Sequence, residues 1–123
     1  KRLTNVHPDL IKIATESLKI SEFDFGIPEY GGKRDEIEQH RLFIKGKSKA
    51  DGKFKKSHHQ TGRALDIYAY VNGKASWDSF YLSRIACAFF QSAIYLNVGI
   101  EWGGLWKNFV DMPHFQLTLS KND

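Results

Sequence analysis

The stretch Ser57-His58-His59-Gln60-Thr61-Gly62-Arg63-Ala64-Leu65-Asp66-Ile67-Tyr68-Ala69-Tyr70-Val71, closed by Asn72-Gly73, decides how this chain folds. Its second half alternates. Asp66, Tyr68 and Tyr70 fall on one side, and Leu65, Ile67, Ala69 and Val71 on the other, as in a strand with one buried face. Asn72-Gly73 then marks a turn. His59 lies seven positions before Asp66, on the far side of Gly62.

A second polar cluster, Asp111-Met112-Pro113-His114, runs into another strand-like segment, residues 115–119. There His114, Gln116 and Thr118 fall on one side and Phe115, Leu117 and Leu119 on the other. Setting the polar faces of both strands in one cleft brings His59, Asp66 and His114 together. Two imidazoles and a carboxylate make a three-ligand zinc set, with a fourth position open for water as in catalytic rather than structural sites. An extended segment from His59 to Asp66 would span roughly 23 Å, far beyond a shared ion bonded at about 2 Å. A helix would put both on one face, but Gly62 interrupts it. A turn through Gln60-Thr61-Gly62, folding His59 back over the start of the strand, meets the requirement. His58 adjoins His59 and competes with it for the ligand role. Asp111, three residues before His114 and with Pro113 fixing the backbone between them, is placed to act as a base. Taken singly, each residue has a structural explanation, such as a turn begun by Asp111; their joint occurrence is what points to a site.

Around this centre the chain reads as interspersed helices and strands. Pro8 and Asp9 open a helix with Leu10, Ile13, Ala14 and Leu18 as its apolar stripe. A short strand is expected over 23–27, and a second helix over about 34–44. The longest helix is expected from an N-cap at Ser76, with Asp78 in its first turn. Leu82, Ile85, Ala88, Phe89, Ala93 and Leu96 form its buried face, and Asn97 and Gly99 close it. A further strand covers 100–102. Without a regular βαβ rhythm, the class is α+β: a small, mostly antiparallel sheet packed against helices in one domain, residues 1–123.

Composition narrows the function. With 41% hydrophobic and 14% aromatic residues the chain can bury a core, which excludes a disordered or disulfide-dependent class. The single cysteine, Cys87, lies in an apolar run and is expected to be buried. No apolar run is long enough for a membrane span, and no signal-peptide h-region is visible. The formal charge of +4 is concentrated in a lysine-rich loop, Lys45, Lys47, Lys49, Lys53, Lys55 and Lys56. That loop suits nucleic acid, an anionic lipid surface or an acidic polymer such as a bacterial wall, or is simply solvated.

The ordered motifs closely resemble the VanY-like zinc peptidases, and most of all the phage and prophage endolysin L-alanyl-D-glutamate peptidases. The pattern Ser-x-His-x-x-Gly-x-Ala-x-Asp is met at Ser57, His59, Gly62, Ala64 and Asp66, and acid-x-x-His at Asp111 and His114. The resemblance extends to Gly32-Lys33-Arg34, Gln39, Gly46-Lys47-Ser48 and Trp102-Gly103-Gly104-x-Trp106. It implies a hedgehog/D-Ala-D-Ala-metallopeptidase-like fold, zinc on His59, Asp66 and His114, a base at Asp111, and an oxyanion-holding arginine at Arg34. Ser57 and Gln39 match positions near the site. Tyr68, Tyr70, Trp102 and Trp106 are candidate groove walls, with core packing an equal reading of the tryptophans. His7 and His40 match no motif position and read as surface or capping histidines.

The resemblance further implies hydrolysis of the L-Ala-D-Glu bond of the peptidoglycan stem peptide. The enzyme would be a monomer without nucleic-acid partners, made in the host cytoplasm and acting on the wall after release. The alternatives are a D-Ala-D-Ala carboxypeptidase or dipeptidase, and a zinc-bearing wall-binding module without hydrolytic activity. A base at Asp111 has no purpose in the last. A small basic nuclease is a weaker rival, because the charge sits in a Gly-containing loop rather than along a regular element.

Overall fold

The computed structural model describes residues 2–29, 31–33, 35, 37, 40, 41, 44 and 58–118. The expected second helix falls largely outside them, although Ile37, His40, Arg41 and Ile44 are helical. The lysine-rich loop, Arg34, Gln39, Ser57 and Leu119 also lie outside.

Helix α1, Pro8–Ile20, starts where Pro8 was expected to open it, and the His7 side chain caps it by accepting from Asp9 N. Leu10, Ile13, Ala14 and Ser17 are buried, while Leu18 is half-exposed. Leu18 lies about 80° around the helix from Leu10, off the stripe that the spacing suggested, whereas Ser17 returns to it. The buried Ser17 hydroxyl is satisfied by donating to Ser92 Oγ (3.0 Å) on the neighbouring helix.

The long strand expected after Leu65 is two strands: β2, Ala64–Asp66, and β3, Tyr68–Val71. They belong to different sheets. Strand β3 pairs with β1, Asp24–Gly26, and with β4, Lys74–Ser76, across a turn whose Asn72 and Gly73 both have positive φ. Strand β2 pairs with β6, His114–Leu117, which also pairs with β5, Ile100–Trp102. All four pairings are antiparallel. The alternation survives the break, since Leu65, Ile67 and Ala69 are fully buried. The Ile67 N–H still bonds Pro113 O (3.0 Å) in the β2–β6 register, and the ladder ends there because Pro113 has no N–H to return.

Helix α2, Ser79–Leu96, begins two residues later than expected. Ser76 pairs with Ala69 in β4, and Asp78 is the N-cap, its Oδ1 accepting from Phe80 N at 2.9 Å. A tight Asn-Gly turn needs a returning strand, and that strand occupies Ser76. At the other end Asn97 takes the left-handed conformation. Cys87 is exposed, not buried. It sits two residues from Ile85 and from Phe89, and residues so spaced face opposite sides of a helix.

Phe89 joins the sheets: its ring lies 5.3 Å from Phe25 of β1 and stacks 4.1 Å from Phe115 of β6. The apolar residues of α1, α2 and both sheets thus share one core. Phe89→Ala is expected to cost about 3–5 kcal/mol, read as a lowered denaturation midpoint. A loss under about 1 kcal/mol would mean the sheets are held together elsewhere.

Candidate metal centre

Register explains how distant residues meet. Asp66 ends β2 directly opposite His114, which begins β6. His59 arrives from a 3-10 turn, His58–Thr61, followed by Gly62 at φ 76°, a value that favours glycine. The turn is the expected one, but it brings His59 to the end of β2 rather than its start. The His59 ring is the one at the cluster; the His58 side chain is not among the described groups.

Three donor atoms form a nearly equilateral triangle. His59 Nε2 is 3.2 Å from Asp66 Oδ1 and 3.2 Å from His114 Nδ1, and His114 Nδ1 is 3.1 Å from Asp66 Oδ1. Four tetrahedral ligands bonded at zinc–nitrogen and zinc–oxygen lengths are about 3.3–3.4 Å apart, so the triangle has the size of one tetrahedral face. The tautomers agree. Gly32 O can only accept, so His59 Nδ1–H donates to it (2.8 Å) and the Nε2 lone pair faces the cluster. His114 Nε2–H likewise donates to Gln116 Oε1 (2.8 Å), leaving Nδ1 facing inward. Three electron-pair donors converging in a buried place call for a cation between them. Among the described residues, this is the group that can hold a metal ion.

Electrostatics follow from the same contacts. Burial, the largest influence on Asp66, raises its pKa, but the charge of His59 and the hydrogen bonds from both imidazoles outweigh it. The carboxyl is held well below the ordinary range. For His114, burial lowers the pKa and is outweighed by the hydrogen bond and charge of Asp66, then by Gln116 and Asp111; the net shift is upward. A raised folded-state pKa means His114 keeps its proton to higher pH than a free imidazole, and a metal must displace that proton. Metal affinity is therefore expected to fall as pH falls through the His114 pKa, with protons released on loading. Calorimetry in buffers of different ionisation enthalpy would read the release; none at mildly acidic pH would remove His114 from the donor set.

Asp111 stands beside the donors without joining them: its Oδ2 is 3.9 Å from His114 Nδ1. It is positioned by its N–H bond to Gly103 O (2.9 Å), and its own carbonyl accepts from His114 N (3.1 Å), closing the turn. The indole N–H of Trp102 donates to Met112 O (2.7 Å) inside that turn, and the ring stacks on Phe115. Trp102 thus supports the Asp111 turn from the core side. Trp106 instead lies over the imidazole of His114, with ring centres 5.1 Å apart.

Two supports escaped the sequence reading. Gln116 orients His114; the signal was its place two residues on, on the same strand face. Its loss, as Gln116→Leu, is expected to weaken metal binding about 10–100-fold. A competition titration against a chromophoric chelator would measure this, and unchanged affinity would deny Gln116 an orienting role. The other support is the Gly31-Gly32 backbone, whose carbonyls accept from Asp66 N (2.7 Å) and His59 Nδ1. No side-chain pattern marks such a role.

An α+β domain presenting two imidazoles and a carboxylate at tetrahedral spacing, with a second carboxylate alongside, has the frame of a metallohydrolase. The chain belongs to the family of phage L-alanyl-D-glutamate peptidases, which it matches over residues 1–118. The L-alanyl-D-glutamate peptidase of Escherichia phage T5 is 32% identical over 114 residues, covering 87% of this chain and 77% of the phage protein. The peptidoglycan L-alanyl-D-glutamate endopeptidase CwlK of Bacillus subtilis is 27% identical, covering 93% and 74%. The crystal structure of the Serratia marcescens L-Ala D-Glu endopeptidase ChiX superposes with a TM-score of 0.85 at 37% identity, covering 95% of this chain and 84% of that one.

Proposed function

We infer that this chain is a metal-dependent peptidase that hydrolyses the L-alanyl-D-glutamate bond of the peptidoglycan stem peptide. The observation that carries the reading is the donor triangle with the Asp111 carboxylate beside it; family membership supplies the bond. Two nitrogens and one oxygen at tetrahedral spacing favour zinc. Bound there, zinc would supply Lewis acidity, activating a water at neutral pH and polarising the scissile carbonyl.

The protein's own part is positional. His59, Asp66 and His114 hold their lone pairs inward, oriented by Gly32 and Gln116. Asp111 takes the proton of the attacking water and returns it to the departing amine. Arg34, the arginine of the matched motif, holds the carbonyl oxygen as it gains charge; Arg34→Ala is expected to lower kcat by about 10²–10³. Undiminished turnover of purified stem peptide would sink that role. Ser57, Gln39 and Tyr68 are assigned to the substrate groove, and Trp102 to its rear wall.

All three donors and Asp111 come from one chain, so a monomer suffices. No helix among the described residues is long and apolar enough to cross a membrane. Synthesis in the host cytoplasm followed by release onto the wall fits a phage lysis enzyme. The test is mass spectrometry of muropeptides after incubation, with and without a chelator. New L-alanine and D-glutamate termini that vanish with the chelator support the reading. D-alanine release would favour a carboxypeptidase, and intact wall with full metal loading a binding module.

A further inference from the structure

The sheet β1-β3-β4 has two unlike faces. Phe25 and Ala69 are buried on the side of α2, where Phe25 meets Phe89. The opposite face carries exposed aromatics: Tyr70 is 48% exposed and Trp77 55%. Such a face is ordinarily polar. Here one rung runs from Gly26 to its partner Tyr68, and the ladder's next step places Trp77 beside Tyr68, ring centres 5.7 Å apart. A Cβ at Gly26 would lie 2.6 Å from the Tyr68 hydroxyl and 2.7 Å from its ring. Glycine is what lets Tyr68 lie flat across the sheet. Together Tyr68 and Trp77 make a low aromatic shelf.

The shelf neighbours the metal centre along the backbone. Tyr68 follows Asp66 by two residues, at most about 7 Å along the backbone, and Leu65, Ile67 and Ala69 on the alternate positions all enter the core. Five residues beyond Gly26, the Gly31 carbonyl accepts the Asp66 N–H. The substrate chemistry supplies the occupant. A stem peptide is joined through its L-alanine to the lactyl group of muramic acid, so a sugar lies one amino acid from the bond to be cut. A pyranose presents a face of C–H groups that packs on aromatic rings, while its hydroxyls stay in water.

We propose that Trp77 and Tyr68 form a subsite for the muramyl sugar, making the enzyme prefer stem peptides still attached to glycan. This rests on the peptidase reading above. A structural role alone, with Tyr68 covering Gly26 and Trp77 bracing it, would affect every substrate equally.

The experiment compares kcat/KM on a disaccharide-bearing muropeptide with that on the free stem peptide of the same sequence. In Trp77→Gln the ratio of the two is expected to fall about tenfold through KM, and Trp77→Phe to restore most of it. An unchanged ratio in Trp77→Gln overturns the proposal. Should that variant fail to fold, Trp77→Leu, which keeps an apolar cover without a ring, gives the same reading. If the wild type cleaves neither substrate, the peptidase reading fails by itself. The subsite is then decided by titrating the peptide-free disaccharide and following tryptophan fluorescence. A saturable change that Trp77→Gln abolishes supports it; no saturable change, or the same change in both proteins, overturns it.

Discussion

Asp111→Ala is expected to bind one equivalent of metal as the wild type does, while kcat/KM on stem peptide falls by about 10²–10⁴, the contribution of a positioned acid–base group. Separation of the two readouts is the point. The carboxylate is 3.9 Å from the His114 donor nitrogen, too far to complete the triangle and near enough to reach a water held at it. Its removal leaves all three donor contacts and both orienting hydrogen bonds untouched. The turn also survives, because it is closed by the Asp111 backbone rather than its side chain. Elemental analysis of the purified variant and muropeptide cleavage would be measured on the same sample. Full turnover would move the base elsewhere; loss of metal along with activity would make Asp111 a ligand.

His114→Ala is expected to lose both metal and turnover. The fall in affinity should exceed the 10–100-fold typical of losing an outer partner. One corner of the donor triangle disappears, and two neighbours are disturbed: Asp66 loses a 3.1 Å contact and the buried Gln116 oxygen loses its donor. An unsatisfied buried acceptor costs about 1–3 kcal/mol, so the metal-free variant should also unfold at lower temperature. His114→Gln, which keeps polar atoms in place, separates that stability loss from the metal loss. Retention of one tightly bound equivalent in either variant would exclude His114 from the centre.

Much of this was legible because local chemistry and global fold agree. The alternation from Leu65 to Val71 marks Leu65, Ile67 and Ala69 as buried correctly, because one face packs on the core, while Val71 at the end of β3 is only partly buried. Asn72-Gly73 forms its turn because both residues tolerate positive φ. The start of the first helix and the α+β class followed from similar signals. The errors fell where a local signal met a competing demand. Ser76 is a good N-cap, yet β4 needed it; Leu18 is apolar, yet helical geometry turns it outward. Cys87 sits in an apolar run, but one whose helix has an exposed back. The break after β2 falls opposite Pro113, which has no N–H to continue the ladder; the proline is visible in the sequence, but only the register shows that it faces Ile67.

By itself, then, the chain named the side chains able to donate to a metal: imidazoles and carboxylates keep their donor atoms whatever surrounds them, and their order along the sequence identifies the family. Only the tertiary structure decided that they meet. A cross-strand register puts Asp66 opposite His114, a 3-10 turn delivers His59, and Gly32 and Gln116 choose which nitrogen faces inward. The spacing and the His59 tautomer are set by contacts between residues tens of positions apart, which no local pattern encodes; the Gln116–His114 bond alone is local.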